Sequence, residues 1–178
     1  LALTVNNAGA SLTLSGANTY TGPTTITAGT LQMGSGGTAG SLSTSSAITI
    51  GSGGVFAVNR SDSVSQGSMF SSAAISGAGG FRQAGSGTTT LNTTNTYTGL
   101  TDVLAGELQL NSASGSAFAG NLQVSGGTAR LMQANQVADG RTITVNSGTF
   151  ALQAYNETAA GVVLVGGAIT GSGGTLTG

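Results

Sequence analysis

The chain has 178 residues, of which 32 are Gly, 22 Ser and 27 Thr, against only 4 Arg and 5 Asp or Glu, a formal net charge of −1. Lys, His and Cys do not occur, which removes zinc sites of the usual ligand types, Cys nucleophiles, disulfide staples and the commonest general base. Four scattered Arg cannot neutralise a phosphate backbone, so no nucleic-acid partner is expected.

Abundant Gly and Ser could belong to a linker, but 38% of the residues are hydrophobic and only one is Pro. The apolar residues alternate with polar ones, which predicts strands with one buried face. In chain order, the first such unit is ITAGTLQM from Ile26, followed by ITIGSGGVFAV from Ile48. NRSDSVSQGSMFSS, residues 59–72, breaks the pattern and is predicted to be a surface excursion holding an Arg60–Asp62 ion pair. VLAGELQL follows from Val103, then an irregular stretch at 112–121, LQVSGGTARL from Leu122, a second irregular stretch at 133–141, and ITVNSGTFAL from Ile143. A last pair, Val163 and Val165, precedes the C-terminal segment. No apolar run approaches the roughly 18 residues of a membrane helix. Without a basic and then apolar leader no signal peptide is predicted. The start at Leu1 suggests an excerpt from a longer precursor.

Two periods organise these units. Thr13–Gly34 (TLSGANTYTGPTTITAGTLQMG) and Thr90–Asn111 (TLNTTNTYTGLTDVLAGELQLN) agree without gaps at twelve of 22 positions, including NTYTG and the closing AG-x-LQ. Ala74–Gly80 (AISGAGG) is echoed by Ala168–Gly174 (AITGSGG). Copies are therefore placed near 1–34 and 75–111, with the start of a third at 168–178, all within one unit spanning 1–178. Beneath this, glycines near positions 9, 29, 53, 80, 106, 127, 148 and 167 mark corners 19 to 27 residues apart. A coil of about 20 residues with short strands and tight corners is the unit of a solenoid. The expected fold is all-β, a right-handed single-stranded parallel β-helix of about eight coils. Inward residues such as Ile26, Ile48, Val103, Leu122 and Ile143 should pile in columns, with Thr, Ser, Gln and Asn outward. Columns of like charge would repel, which accounts for the charge depletion.

The strings Leu12–Gln32 and Thr94–Leu110 resemble the passenger-associated repeat of bacterial autotransporters, in which a G-T-L-T-L-x-G-x-N-T-Y-T-G block precedes a T-x-I-x-x-G-T-L strand pair. Phe81, Arg82 and Gln83 depart from that family's L-x-K, and Pro23 interrupts one copy. The resemblance implies a secreted passenger displayed on a Gram-negative cell surface, whose parent chain is linked to an outer-membrane β-barrel translocator. It also implies that the repeats aid secretion by folding early.

No catalytic, cofactor or metal site is read from the sequence: G-x-S-x-G, Walker and Asp/Gly calcium-repeat patterns do not occur. The nearest approach to a glycosidase carboxylate pair is Asp102 with Glu107, predicted to sit outward on a solvated corner. Tyr20 and Tyr97 occupy equivalent places in NTYTG and are expected to pack against an adjacent coil, with sugar stacking as the functional alternative. The expected protein is a non-enzymatic stalk or adhesin segment. Two other readings stay open, a self-associating filament or aggregation module and the scaffold of a carbohydrate-active enzyme. The partners in view are a host-surface protein, a glycan or a second copy of the chain, engaged through an exposed ladder face or through residues 59–72, 112–121 or 133–141.

Overall fold

The computed structural model describes residues 1–178 and contains strands, turns and bends but no helix. The strands are β1 (Leu3–Leu14), β2 (Thr24–Met33), β3 (Ile48–Val58), β4 (Ser63–Ser65), β5 (Ser76–Gly77), β6 (Gly80–Gln83), β7 (Thr88–Leu91), β8 (Thr101–Val103) and β9 (Glu107–Leu110). They continue with β10 (Leu122–Val124), β11 (Thr128–Leu131), β12 (Thr142–Val145), β13 (Thr149–Gln153), β14 (Glu157–Thr158), β15 (Gly161–Leu164), β16 (Ala168–Gly171) and β17 (Leu176–Thr177).

All named strands pair in parallel, and each neighbour comes from the next turn of the chain. The largest sheet runs β1, β2, β3, β6, β8, β10, β12, β15, with β5 also on β3. A second sheet runs β4, β7, β9, β11, β13, β16. A third side carries the β14–β17 pair and isolated bridges such as Phe118–Val137. This is a parallel β-solenoid of about eight coils, as the spacing of the corners implies. The corners use glycine for two reasons. Gly148 has φ +77°, a conformation L side chains rarely adopt. Gly127 has no positive φ, but a Cβ there would lie 2.5 Å from the Gly106 carbonyl of the previous coil.

Alternating residues point into the rod. The predicted inward residues Ile26, Ile48, Val103, Leu122 and Ile143 are all buried, yet they divide between several columns. Val103 stacks with Val124 and Val145, Leu122 with Ile143, Ile48 with Thr24, and Ile26 with Val5 and Ile50. Down the axis runs a ladder of rings, Phe70, Phe56, Phe81, Tyr97 and Phe118, with successive centroids 5.7, 5.9, 6.3 and 5.9 Å apart. Such contacts add to the area each ring buries.

The two sequence copies do not occupy equivalent places on the rod. Leu31 stacks between Leu12 and Phe56 in the first sheet, whereas its counterpart Leu108 stacks between Thr89 and Ala129 in the second. The register explains the difference. Steps from Leu31 to Phe56, Phe81 and Thr101 are 25, 25 and 20 residues, so three coils fall seven residues short of Leu108. Those seven carry the chain round the Leu104–Gly106 corner. In the first copy the same stretch continues as the single strand β2, which bends through a register irregularity between Ile26 and Ala28.

The three segments expected to leave the rod do not leave it. Residues 59–72 contain β4 and bury Arg60, Val64, Gln66, Phe70 and Ser71; 112–121 buries Ser112, Ala117 and Phe118; 133–141 buries Gln136 and Val137. Each belongs to a coil's circumference. They read as loops because single backbone bonds between coils, such as Ser61 N–H to Gly37 and Ser72 N–H to Thr44, and inserted side-chain groups hold the backbone there in place of a long regular ladder. Gln136 accepts the Ser112 N–H at 2.7 Å and donates to the Ser112 carbonyl at 3.1 Å. Arg60 is likewise no surface residue, at 5% exposure. It donates to both carboxylate oxygens of Asp62 at 2.8 and 2.6 Å and to the Gly40 carbonyl of the preceding coil. Its guanidinium holds the Asp62 carboxyl below the usual carboxylate range.

Candidate functional site

The element shared by both copies, NTYTG, is built as a clamp on three coils. In the first copy, Asn18 Nδ2 donates to the carbonyls of Gly16 (2.9 Å) and Ser41 (3.0 Å), and its backbone N–H also donates to Ser41. In the second, Asn95 Nδ2 donates to Thr93 (3.1 Å) and Ala117 (2.9 Å), and its N–H to Ala117. Each Asn therefore binds a carbonyl of the following coil. Tyr20 and Tyr97 share 2.8 Å hydrogen bonds with Thr24 and Thr101, the first residues of β2 and β8. The glycine ending the motif abuts the preceding coil: a Cβ on Gly22 would lie 2.2 Å from the Leu1 carbonyl oxygen, and one on Gly99 2.4 Å from the Gly79 carbonyl. These contacts of Asn, Tyr and Gly repeat 77 residues on, although the copies lie on different parts of the circumference. The motif encodes coil-on-coil stacking, independent of which face it meets.

A family model for the passenger-associated transport repeat matches residues 3–33 and 81–110. The chain carries two passenger-associated transport repeats. A 66-residue stretch is 48% identical to the adhesin BmaC autotransporter of Brucella suis biovar 1, covering 37% of this chain and 2% of that adhesin. The chain thus spans a small fraction of the relative's length. No solved structure matches.

Within the second passenger-associated transport repeat lie the two carboxylates closest to a hydrolase pair, and the structure commits each to a separate partner. Asp102 is not on a solvated corner: it is buried on β8, accepts a 2.7 Å bond from Ser125 Oγ, and has Arg82 Nε 3.8 Å away. Its outward column is crowded, with Arg82 and Gln123 in register on either side. Glu107 faces out from the second sheet, where Arg130 Nη2 donates at 2.7 Å and Gln109 Nε2 at 2.7 Å. The Arg130 hydrogen bond holds the Glu107 carboxyl below its ordinary range, which leaves it a poor proton donor at neutral pH. Tyr97 packs between the rings of Phe81 and Phe118 and is fully buried, as expected, so it offers no face to a sugar. Its equivalent Tyr20 is half-buried against the core. No three His, Cys, Asp or Glu side chains converge in the fold.

Glu157 is the group that sequence reasoning missed. It is completely buried on β14, and its carboxylate accepts the backbone N–H groups of Gln136 (2.8 Å) and Val137 (3.2 Å) in the preceding coil. It continues the internal polar column that joins Ser112 to Gln136. The 21-residue step from Gln136 to Glu157, one coil length, was the available signal. Burial pushes its carboxyl up to about 7, opposed by the backbone donors and reinforced by the charge of Asp139. A raised carboxyl binds its proton more tightly in the fold, so its contribution to stability is complete below the ordinary value of 4.5 and is lost as pH rises through 7. The expected loss is on the order of 3 kcal/mol. Asp62 and Glu107, held low, act with opposite sign and below the pH window of Glu157. Urea midpoints at pH 4.5 and 7.5 should therefore differ for the native chain. The difference should shrink in Glu157→Gln; equal pH dependence in both proteins would refute this assignment.

Proposed function

We propose that this chain is a non-enzymatic stalk segment of a secreted, surface-displayed adhesin passenger of a Gram-negative bacterium, in which the repeats aid secretion and folding. The NTYTG clamp carries the reading. Asn, Tyr and Gly of each copy are consumed in holding a coil to its neighbours, so what the repeat contributes is assembly of the rod. Contacts between coils about 20 residues apart in sequence form quickly and propagate from coil to coil, which suits a chain that folds as it emerges unfolded through a translocator. The name of the Brucella relative, an adhesin autotransporter, supports display.

The test is surface display of the parent passenger carrying Asn18→Ala and Asn95→Ala together. Synthesis should be unchanged while the protease-accessible fraction on intact cells falls several-fold; undiminished display overturns the secretion role. For the non-enzymatic half, the chain should release no product from pectin-like or host glycans. Turnover that disappears in Asp102→Asn/Glu107→Gln would replace the stalk by a carbohydrate-active enzyme. A second reading, head-to-tail self-association, is favoured by one observation. Val163, Leu164 and Val165 on and beside the edge strand β15 are 48%, 56% and 71% exposed, and unpaired strand edges recruit further strands. Sedimentation that stays monomeric at high concentration would remove it.

A further inference from the structure

The strands of the first sheet carry charge only at Arg82 and Asp102, where the second copy also replaces Pro23 by Leu100 and Thr25 by Asp102. There, a cleft of about 260 Å³ opens along the junction of three successive coils, floored by Gly53, Gly79 and Gly99 and flanked by Leu100, Arg82 and Asp102. Its floor is backbone without side chains, because a Cβ on Gly79 or Gly99 would collide with the coil beneath. Leu100 stands 43% exposed at the rim. Arg82 is the cation of the cleft, and it is poorly satisfied. Its Nε is the one buried side-chain polar atom in the protein without a hydrogen-bond partner. Its carboxylate neighbour is 3.8 Å away, and the other oxygen of that carboxylate is occupied by Ser125. Arg60 and Arg130, by contrast, have direct carboxylate bonds of 2.6 to 2.8 Å.

We propose that this cleft is a binding site for a uronic acid residue of an acidic glycan, its carboxylate on Arg82 and the apolar face of its ring against Leu100 and the glycine floor. The charge requirement follows from Arg82, whose side chain is 40% exposed beside the cleft and whose only carboxylate neighbour lies 3.8 Å away, so its guanidinium is open to a charge-assisted bond from a ligand carboxylate. The ring requirement follows from the lining, in which glycines of three coils and the exposed Leu100 present backbone and an aliphatic side chain beside Arg82. An extended peptide is disfavoured because three of the backbone N–H groups bordering the cleft are spent within the rod: Gly99 N–H donates to Gly79, Phe81 N–H to Leu100 and Gly79 N–H to Ile50. A strand added here would find those donors already committed. This site extends the display reading to a ligand, and its failure would leave the stalk intact, since a stalk requires no ligand.

The test is titration of the chain with digalacturonate, digalactose and a short peptide ending in a free carboxylate, followed by backbone amide shifts in NMR. Digalacturonate should move the amides of Gly53, Gly79, Gly99 and Arg82 and bind at least tenfold more tightly than digalactose. Arg82→Gln should abolish the preference, Arg82→Lys should restore part of it, and Leu100→Thr should weaken both sugars. Asp102→Asn, which removes the competing carboxylate, should tighten digalacturonate several-fold. Equal binding of the two sugars, tighter binding of the peptide, shifts elsewhere on the rod, or an Arg82→Gln chain that keeps the preference would each overturn the proposal. An unchanged amide spectrum outside the cleft separates a lost site from a lost fold.

Discussion

Leu108→Asp is expected to lower the stability of the chain by about 5 kcal/mol and its melting midpoint by more than roughly 10 °C. Leu108 is fully buried in β9, stacked between Thr89 and Ala129 with Phe150 one coil further on. Two costs combine there. Removing the leucine side chain forfeits about 2–5 kcal/mol of packing, and a carboxylate in its place has no donor, since the surrounding column is apolar apart from Thr89, whose hydroxyl is already given to Gln83 Oε1 at 2.6 Å. The buried acid that the fold does tolerate, Glu157, shows what would be needed, namely backbone N–H groups aimed at it from the preceding coil. Thr144→Asp is the matched control on an outward position of β12 and should change stability by less than about 0.5 kcal/mol. Denaturant melts of the three proteins decide the matter. A Leu108→Asp midpoint equal to that of the control would mean that β9 presents its other face to the core.

The same position shows how far the sequence can be read. That Leu108 and Leu110 point inward follows from their alternation with Glu107 and Gln109, because a strand has only two faces. The solenoid follows from corner spacing, and eight coils from the number of corners. Which sheet a repeat enters is not local information. It depends on the summed lengths of the intervening coils, and two coils of 25 residues followed by one of 20 set the second copy one side round the rod from the first. Residues 59–72 misled for a related reason. Composition marks Ser, Asn and Gln as loop formers because they compete for backbone hydrogen bonds, and on this fold's third side that competition is the structural device. Gln66 and Asn95 exchange side-chain bonds of 2.8 and 3.1 Å in the interior, and Asn95 Oδ1 accepts the Ile75 N–H at 2.8 Å. The cleft beside Arg82 was invisible for a third reason: it is assembled from glycines in three coils, and its character depends on Asp102 turning one oxygen to Ser125, a residue 23 positions away.

Tyr97→Ala is expected to cost about 3–5 kcal/mol and, more distinctively, to divide the rod. Tyr97 is the ring between Phe81 and Phe118, and the Phe70–Phe56–Phe81 series meets Phe118 only through it. In a solenoid each coil contacts only its neighbours, so stability is close to a sum of coil and interface contributions. Weakening one internal interface by several kcal/mol lets the segments on either side melt separately. The native chain should lose its strand signal in one transition; Tyr97→Ala should show two, the earlier lowered by roughly 10 °C. Hydrogen exchange should report early opening at the Asn95, Ile75 and Ala117 hydrogen bonds. Tyr97→Phe keeps the ring and removes only the bond to Thr101 Oγ1; it should lose about 1–3 kcal/mol, because it leaves a buried hydroxyl without its partner, and retain a single transition. A Tyr97→Phe chain that splits like Tyr97→Ala would assign the coupling to the hydroxyl. Tyr20, half-buried at the first coils, is bonded in the same way to Thr24 but has no ring on either side of it in the ladder. Tyr20→Ala should therefore shift the midpoint less and leave one transition, which separates the role of the motif from that of its position in the rod.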